Sequence, residues 1–146
     1  MDTRIRILLI GGNPDFFQNI RQTLASHDYQ VKTALDENDA INLATQFNPD
    51  LIIIDLDFAD AMINWYAICI KLRIVSMCPI VALSGSNEEA IEISAMNSYI
   101  DFFVHKPLTM SLLLAVVKSS LRLWLKINEA KKYEIGQSAA EADETL

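Results

Sequence analysis

Two hydrophobic periods alternate along this chain, and each change of period marks an element. Arg4-Ile5-Arg6-Ile7-Leu8-Leu9-Ile10 alternates in its first half and is apolar throughout its second, as a strand does on entering a core. Gly11-Gly12-Asn13 forms a tight turn. Asn13 then stands as N-cap and Pro14 as first residue of a helix over 14–26, with Phe16, Phe17, Ile20 and Leu24 at helical spacing. Tyr29 to Ala34 alternates as an edge strand does. Asp36, with Asp39 three positions on, caps a second helix whose apolar face is Ala40, Ile41, Leu43, Ala44 and Phe47. Pro49-Asp50-Leu51-Ile52-Ile53-Ile54-Asp55 follows. A strand apolar at every position is buried on both faces, which belongs at the centre of a parallel sheet. A third helix is expected over 61–73, with Ile63, Ala67, Ile70 and Leu72 inward. Pro79 opens a fourth strand, Ile80 to Leu83. Ser86 and Glu89 have the spacing of a capping box for a fourth helix. Asp101 to Val104 is the fifth strand, and Thr109 caps a long last helix.

Five strands alternating with five helices through short loops give an α/β fold, a doubly wound parallel sheet with helices on both faces. In such sheets chemistry sits at the carboxyl ends of the strands. Gly11 and Gly12 stand at the first strand end, Asp55 at the third with Asp57 two positions on, Ser84 at the fourth, and Lys106 followed by Pro107 at the fifth. A carboxylate, a hydroxyl and an ammonium can there form one small polar site. Asp55 could also do no more than cap its loop, and that reading stays open on its own stretch.

Composition narrows the function. The chain has 146 residues, 51% hydrophobic and 21% charged, enough for one domain with a sizeable core. The apolar stretch Leu112–Val117 stops at Lys118, far short of the roughly 20 residues of a membrane span. The N-terminus lacks a signal peptide's apolar region, so a cytoplasmic location is expected. Cys69 and Cys78 lie among apolar residues without metal-ligand spacing and read as buried, reduced thiols. His27 and His105 form no cluster, so no metal or cofactor is expected. The net charge of −7 argues against a nucleic-acid partner. Much of it comes from Glu134, Glu141, Asp143 and Glu144, in a stretch, 134–146, that holds no basic residue.

With the strand ending in Asp55, with Pro79-Ile80-Val81-Ala82-Leu83-Ser84 and with Phe103-Val104-His105-Lys106-Pro107, the chain resembles the receiver domain of two-component response regulators over residues 4 to about 122. The resemblance implies a flavodoxin-like fold of strand order 2-1-3-4-5. It implies that Asp55 occupies the phosphoacceptor position, that Ser84 and Phe103 are the switch residues, and that Lys106 pairs with the phosphoryl group. It further implies a frequently cis Lys106–Pro107 bond. One departure is sharp. Receivers carry two acidic residues after the first strand that help hold Mg²⁺, and here those positions are Gly11 and Gly12. Mg²⁺ asks for octahedral oxygen ligands including one or two carboxylates. Only Asp55 and one backbone carbonyl, that of Asp57, would remain. Without the pair, Lys106 faces one carboxylate, and a direct Asp55–Lys106 ion pair is expected, lined by Ser84. The loop beyond Asp55 departs as well, with Ala59 and Ile63-Asn64 where a proline and a glycine are usual. Asp57 and Asp60 read as loop residues or as replacement ligands. Trp65 and Tyr66 read as helix packing or as a contact surface, and His105 as a surface residue.

The last helix is the second informative feature. From Thr109 it can run to about Tyr133, roughly 37 Å. Lys118, Arg122 and Lys126 form a basic stripe. The apolar remainder is too wide for a single core-facing side. The chain thus divides into a receiver domain (1–122), a helical extension (123–133) and an acidic disordered tail (134–146). Leu121, Trp124 and Leu125 are the candidate interface of a homodimer, with a helix folded back on its own domain as the other possibility.

The reading is an atypical, non-enzymatic receiver. It would act as a protein-interaction module toward a histidine kinase or a downstream signalling protein, without membrane or nucleic-acid partners. It would be either a stand-alone adaptor or the front of a longer chain. The alternatives are a phosphorylatable receiver with a weakened metal site, and a flavin carrier on the same fold. The second would need an anion-binding loop of which Gly11-Gly12-Asn13-Pro14 supplies only part.

Overall fold

The computed structural model describes residues 2–11, 13–57 and 65–144, with side chains as far as residue 130. Its elements in chain order are β1 (Arg6–Ile10), α1 (Pro14–Ser26), β2 (Gln30–Ala34), α2 (Glu37–Gln46), β3 (Leu51–Asp55), α3 (Trp65–Val75), β4 (Ile80–Ser84), α4 (Glu89–Met96), β5 (Phe102–His105) and α5 (Met110–Glu144). The strands form one parallel sheet in the order β2-β1-β3-β4-β5, the order that the resemblance implied.

Strand periodicity divides the core in two. Leu8, Ile10, Ile52, Ile54, Ile80 and Ala82 face one layer, where Ala40 and Ala44 of α2, Ile68, Cys69 and Leu72 of α3 and Ala95 of α4 cover them. Their neighbours Ile7, Leu9, Leu51, Ile53, Val81 and Leu83 face the other, under Phe17, Ile20 and Leu24 of α1 and Leu113, Val117 and Leu121 of α5. β3 is buried at all five positions because it lies mid-sheet between these layers. Full burial of such side chains is worth roughly 1.5–3 kcal/mol each.

The caps largely follow the sequence. The Asn13 side chain accepts from Phe16 N–H at 3.3 Å, and that of Asp36 from Asp39 N–H at 2.8 Å. Thr109 Oγ1 accepts from Leu112 N–H at 3.1 Å. α4 differs. It starts at Glu89 behind Glu88, which makes no side-chain cap bond. Ser86 is instead engaged in the loop, accepting from Glu88 N–H at 3.2 Å while its own N–H donates to Ser84 Oγ at 3.1 Å.

Two inward faces also differ. α3 buries Ile68, Cys69 and Leu72, and Ile70 is exposed. Ala67 to Ile70 are consecutive apolar residues, so no polar position marks which side turns outward. Ile63 lies outside the described residues. In α5, Leu121 is buried in its own core rather than presented at a surface. α5 is also longer than expected and continues through Glu144, across the stretch whose composition suggested a tail. Ala and Glu, both good helix formers, dominate that stretch, and no proline interrupts it.

Candidate functional site

The parallel register brings the four polar residues together. Asp55 is the last residue of β3 and lies opposite Leu83, so Ser84 stands one step beyond it on β4. Ser84 is opposite His105, and Lys106 N–H donates to the Ser84 carbonyl at 2.8 Å. Lys106 is thereby held at the rim on which Asp55 ends. The Lys106–Pro107 bond is cis.

The ammonium of Lys106 lies 2.9 Å from Asp55 Oδ1. That is the direct pair expected from the missing acids. Asp55 is only 3% exposed at its side chain, against 20% for Lys106. Asp55 Oδ1 also accepts from Asp57 N–H at 2.9 Å, which turns the loop back over the carboxylate.

Asp57 is the residue whose place the sequence did not disclose. Its Oδ2 lies 3.1 Å from Lys106 Nζ and accepts from Gly85 N–H at 2.7 Å. Ser84 Oγ donates to Asp57 Oδ1 over 3.4 Å, not to Asp55. One ammonium thus bridges two carboxylates, and the hydroxyl serves the second of them. Asp57 stands two residues beyond a strand-end acid. That spacing, in a loop facing a lysine, was the available signal.

Aromatic rings complete the site. Phe16 lies over the ammonium, with Lys106 Nζ 4.3 Å from its ring centroid. Such a contact is worth about 0.5–2 kcal/mol, the more so where the cation has lost water. Phe17 lies beside Phe16, ring centroids 5.7 Å apart, and is buried under the sheet end. The far side of Phe17 borders a surface cavity of about 570 Å³ lined also by Pro14, Gln18, Arg21, Thr33 and Leu35. A Cβ on Gly11 would come within 2.6 Å of the Phe17 ring. Gly12 lies outside the described residues, as do Ala59, Asp60 and Asn64.

A family model of the response regulator receiver domain matches residues 7–118. The chain belongs to the response regulator receiver family. A two-component response regulator from Clostridium difficile is 31% identical, with a TM-score of 0.76 over 82% of this chain and 97% of that one. A CheY-like receiver domain from Methanospirillum hungatei has the same fold, with a TM-score of 0.78 at 17% identity, covering 85% and 98% of the two chains. An uncharacterized transcriptional regulatory protein of Bacillus subtilis, YvcP, is 26% identical over 117 residues, 80% of this chain and 48% of its own length. The chain spans about half the length of the full-length relatives it matches. Membership of a signalling family displaces the flavin-carrier reading.

The other receiver positions are placed as follows. Phe103 is half-buried, stacked edge-on against His105 at 4.9 Å between centroids. His105 reaches Glu92 on α4 at 3.4 Å, so this pair joins β5 to α4 when the imidazole is protonated. Trp65 packs against the core, while Tyr66 is exposed. Trp124, half-buried, lines a surface cavity of about 270 Å³ with Leu123, Ile127, Met77, Pro79 and Phe102. Leu125 is 54% exposed. Cys69 and Cys78 are buried free thiols, and burial pushes them up to about 12 and about 11. Among the described residues no helix is long and apolar enough to cross a membrane.

A receiver's Mg²⁺ would need carboxylate ligands around Asp55. Among the described residues no three His, Cys, Asp or Glu side chains gather in a way that could hold a metal ion. The two carboxylates at hand already share Lys106, and Gly11 offers no side chain. In the resting site both carboxylates are taken up by the lysine rather than open to an ion.

Proposed function

We propose that this receiver is an atypical one, a protein-interaction module that signals without Mg²⁺-dependent phosphorylation of Asp55. The observation that carries the reading is the Lys106 ammonium. It lies 2.9 Å from Asp55 and 3.1 Å from Asp57, beneath the Phe16 ring. The lysine supplies the positive charge that a divalent cation would otherwise bring to these acids, and it holds the resting conformation. An incoming phosphoryl group adds negative charge beside Asp55 and has no metal to offset it. Asp55 is then a phosphoacceptor position without the chemistry, Ser84 and Phe103 are switch positions read by packing, and the signal is constitutive or driven by a partner.

The partners are proteins, a histidine kinase or a downstream signalling protein. A second copy binds through the extension of α5, where Leu123, Leu125 and Ile127 are exposed around Trp124. The expectation of no nucleic-acid partner applies to the receiver unit alone, since YvcP is named a transcriptional regulatory protein and is twice as long as the matched stretch. Truncation after Arg122 leaves a monomer by light scattering; a dimer that survives the truncation sinks this interface.

Retention of Asp55, Ser84 and Lys106 at one strand-end rim favours a second reading, a working phosphoacceptor with a weakened metal site. A two-dimensional amide NMR titration decides between the two. Mg²⁺ is added first, then beryllofluoride, which stands in for a phosphoryl group on an aspartate. Unmoved resonances of Asp55, Ser84 and Lys106 support the atypical receiver. Shifts saturating at low millimolar Mg²⁺, with uptake of phosphoryl from acetyl phosphate, support the second reading.

A further inference from the structure

We infer that Phe16 and Phe17 form an aromatic plug that determines what the strand-end site accepts, and that the glycine at position 11 exists to admit it. The inference rests on the atypical-receiver reading and names the residues that enforce it.

A Cβ on Gly11 would lie 2.3 and 2.6 Å from Cε2 and Cζ of Phe17, and 3.1 Å from Asp55 Cβ. Carbon atoms in van der Waals contact sit about 3.5–4.0 Å apart. Phe17 therefore occupies the volume that any side chain at position 11 would enter. Phe17 is 2% exposed and packed with Ile7, Leu9 and Ile20, so the ring belongs to the core as well as to the site. Glycine at 11 is thus more than the loss of an acid. It is the complement of a phenyl ring, and an acid restored there meets that ring first.

Phe16 follows Phe17's placement because both stand in the first turn of α1, which the Asn13 cap fixes by accepting from Phe16 N–H. One ring turns into the core and the other covers Lys106 Nζ at 4.3 Å. The ammonium is enclosed by two carboxylates and an aromatic face. A divalent cation would have to displace the lysine, which the Phe16 ring holds in place, to reach the buried Asp55. Phe17 thus fills the space beside Gly11, and Phe16 steadies the lysine that satisfies the two carboxylates.

The full chain tests this in two arms. In the stability arm, Gly11→Ala is made alone and with Phe17→Ala. Gly11→Ala alone lowers the melting midpoint by several degrees, and it lowers it much less in the Phe17→Ala background. In the metal arm, Gly11→Asp/Gly12→Asp is compared with the same pair plus Phe17→Ala, using Mn²⁺ as the probe and paramagnetic broadening of the Asp55 and Asp57 amides as the readout. The pair alone shows no broadening at low millimolar Mn²⁺; with Phe17→Ala added, broadening is selective for those amides. Adding Phe16→Leu tightens Mn²⁺ by a further ~3-fold, the value of a modest cation–π contact. If Phe17→Ala does not fold, Phe17→Leu takes its place in both arms. Equal midpoint losses in the two backgrounds overturn the inference. So does broadening in the acid pair alone, or its absence when Phe17 is removed. Broadening in the unmutated protein is a different result, because it overturns the atypical-receiver reading beneath the inference.

Discussion

Replacing Lys106 by alanine removes the one cation that two carboxylates share. Asp55 is the acid that suffers, because its side chain is 3% exposed and water cannot replace the ammonium at 2.9 Å. At that separation and an effective dielectric of about 20, the gross attraction is about 6 kcal/mol. Dehydration of both groups offsets a large part of it. Removal of one partner from a buried pair nevertheless costs about 3–5 kcal/mol, because the remaining charge stays buried and unpaired. Lys106 is itself 20% exposed, which places the expected loss near the lower figure. Asp57 adds little to this sum, since its side chain is 39% exposed and water takes over where the ammonium leaves. In urea, a loss of about 3 kcal/mol moves the unfolding midpoint down by about 1–3 M at an unchanged slope. Lys106→Met, which keeps a side chain of similar length and removes the charge, falls by a similar amount. In a double-mutant cycle with Asp55→Ala, the coupling is at least about 1.5 kcal/mol. A Lys106→Ala protein that unfolds within about 0.5 kcal/mol of the parent, below the range of any buried-pair effect, refutes a resting conformation held by Lys106.

Further outcomes are expected elsewhere in the molecule. Burial holds the Cys69 and Cys78 thiols protonated up to about 12 and about 11, from an ordinary 9.0, so neither reacts with a thiol reagent at pH 8 until the chain unfolds. A group whose folded value is raised stabilises fully below its unfolded value, so stability falls as pH climbs from about 9 toward about 11, and urea midpoints across that window check it. Arg73 donates to the carbonyls of Cys78 at 2.8 Å and Tyr99 at 2.7 Å and pairs with Asp101 at 3.1 Å, tying the end of α3 to the starts of β4 and β5. Arg73→Ala is expected to cost about 2 kcal/mol, with faster hydrogen exchange at Ile80 and Phe102 as its local signature. Asp36→Ala removes the cap of α2 and is expected to cost about 1 kcal/mol in the same urea assay.

What the sequence determined by itself are the features written in neighbouring residues. The strands were legible because burial on both faces demands unbroken apolar runs such as Leu51 to Ile54. The caps at Asn13, Asp36 and Thr109 were legible because a cap is a contact between a side chain and a backbone N–H two or three residues on. Their sum fixed the alternation of elements and hence the kind of sheet. Asp55, Ser84 and Lys106 were legible as a set because a parallel sheet carries its strand ends to one rim. The tertiary structure decided what those residues touch. Asp57 became the second partner of Lys106 across 49 positions of sequence, a distance that no local period can encode. Phe17 entered the space above Gly11, which reads in sequence only as an absence. The inward face of α3 was set by the sheet it met, since Ala67 to Ile70 give no polar mark. Leu121 went into the core with Leu113 and Val117, in the same layer as Leu51 and Ile53, whereas a helix pattern alone reports how wide the apolar face is and not how far the domain beneath it extends. Local free energies choose elements, and long-range packing chooses partners. The chemistry of this site lies in its partners.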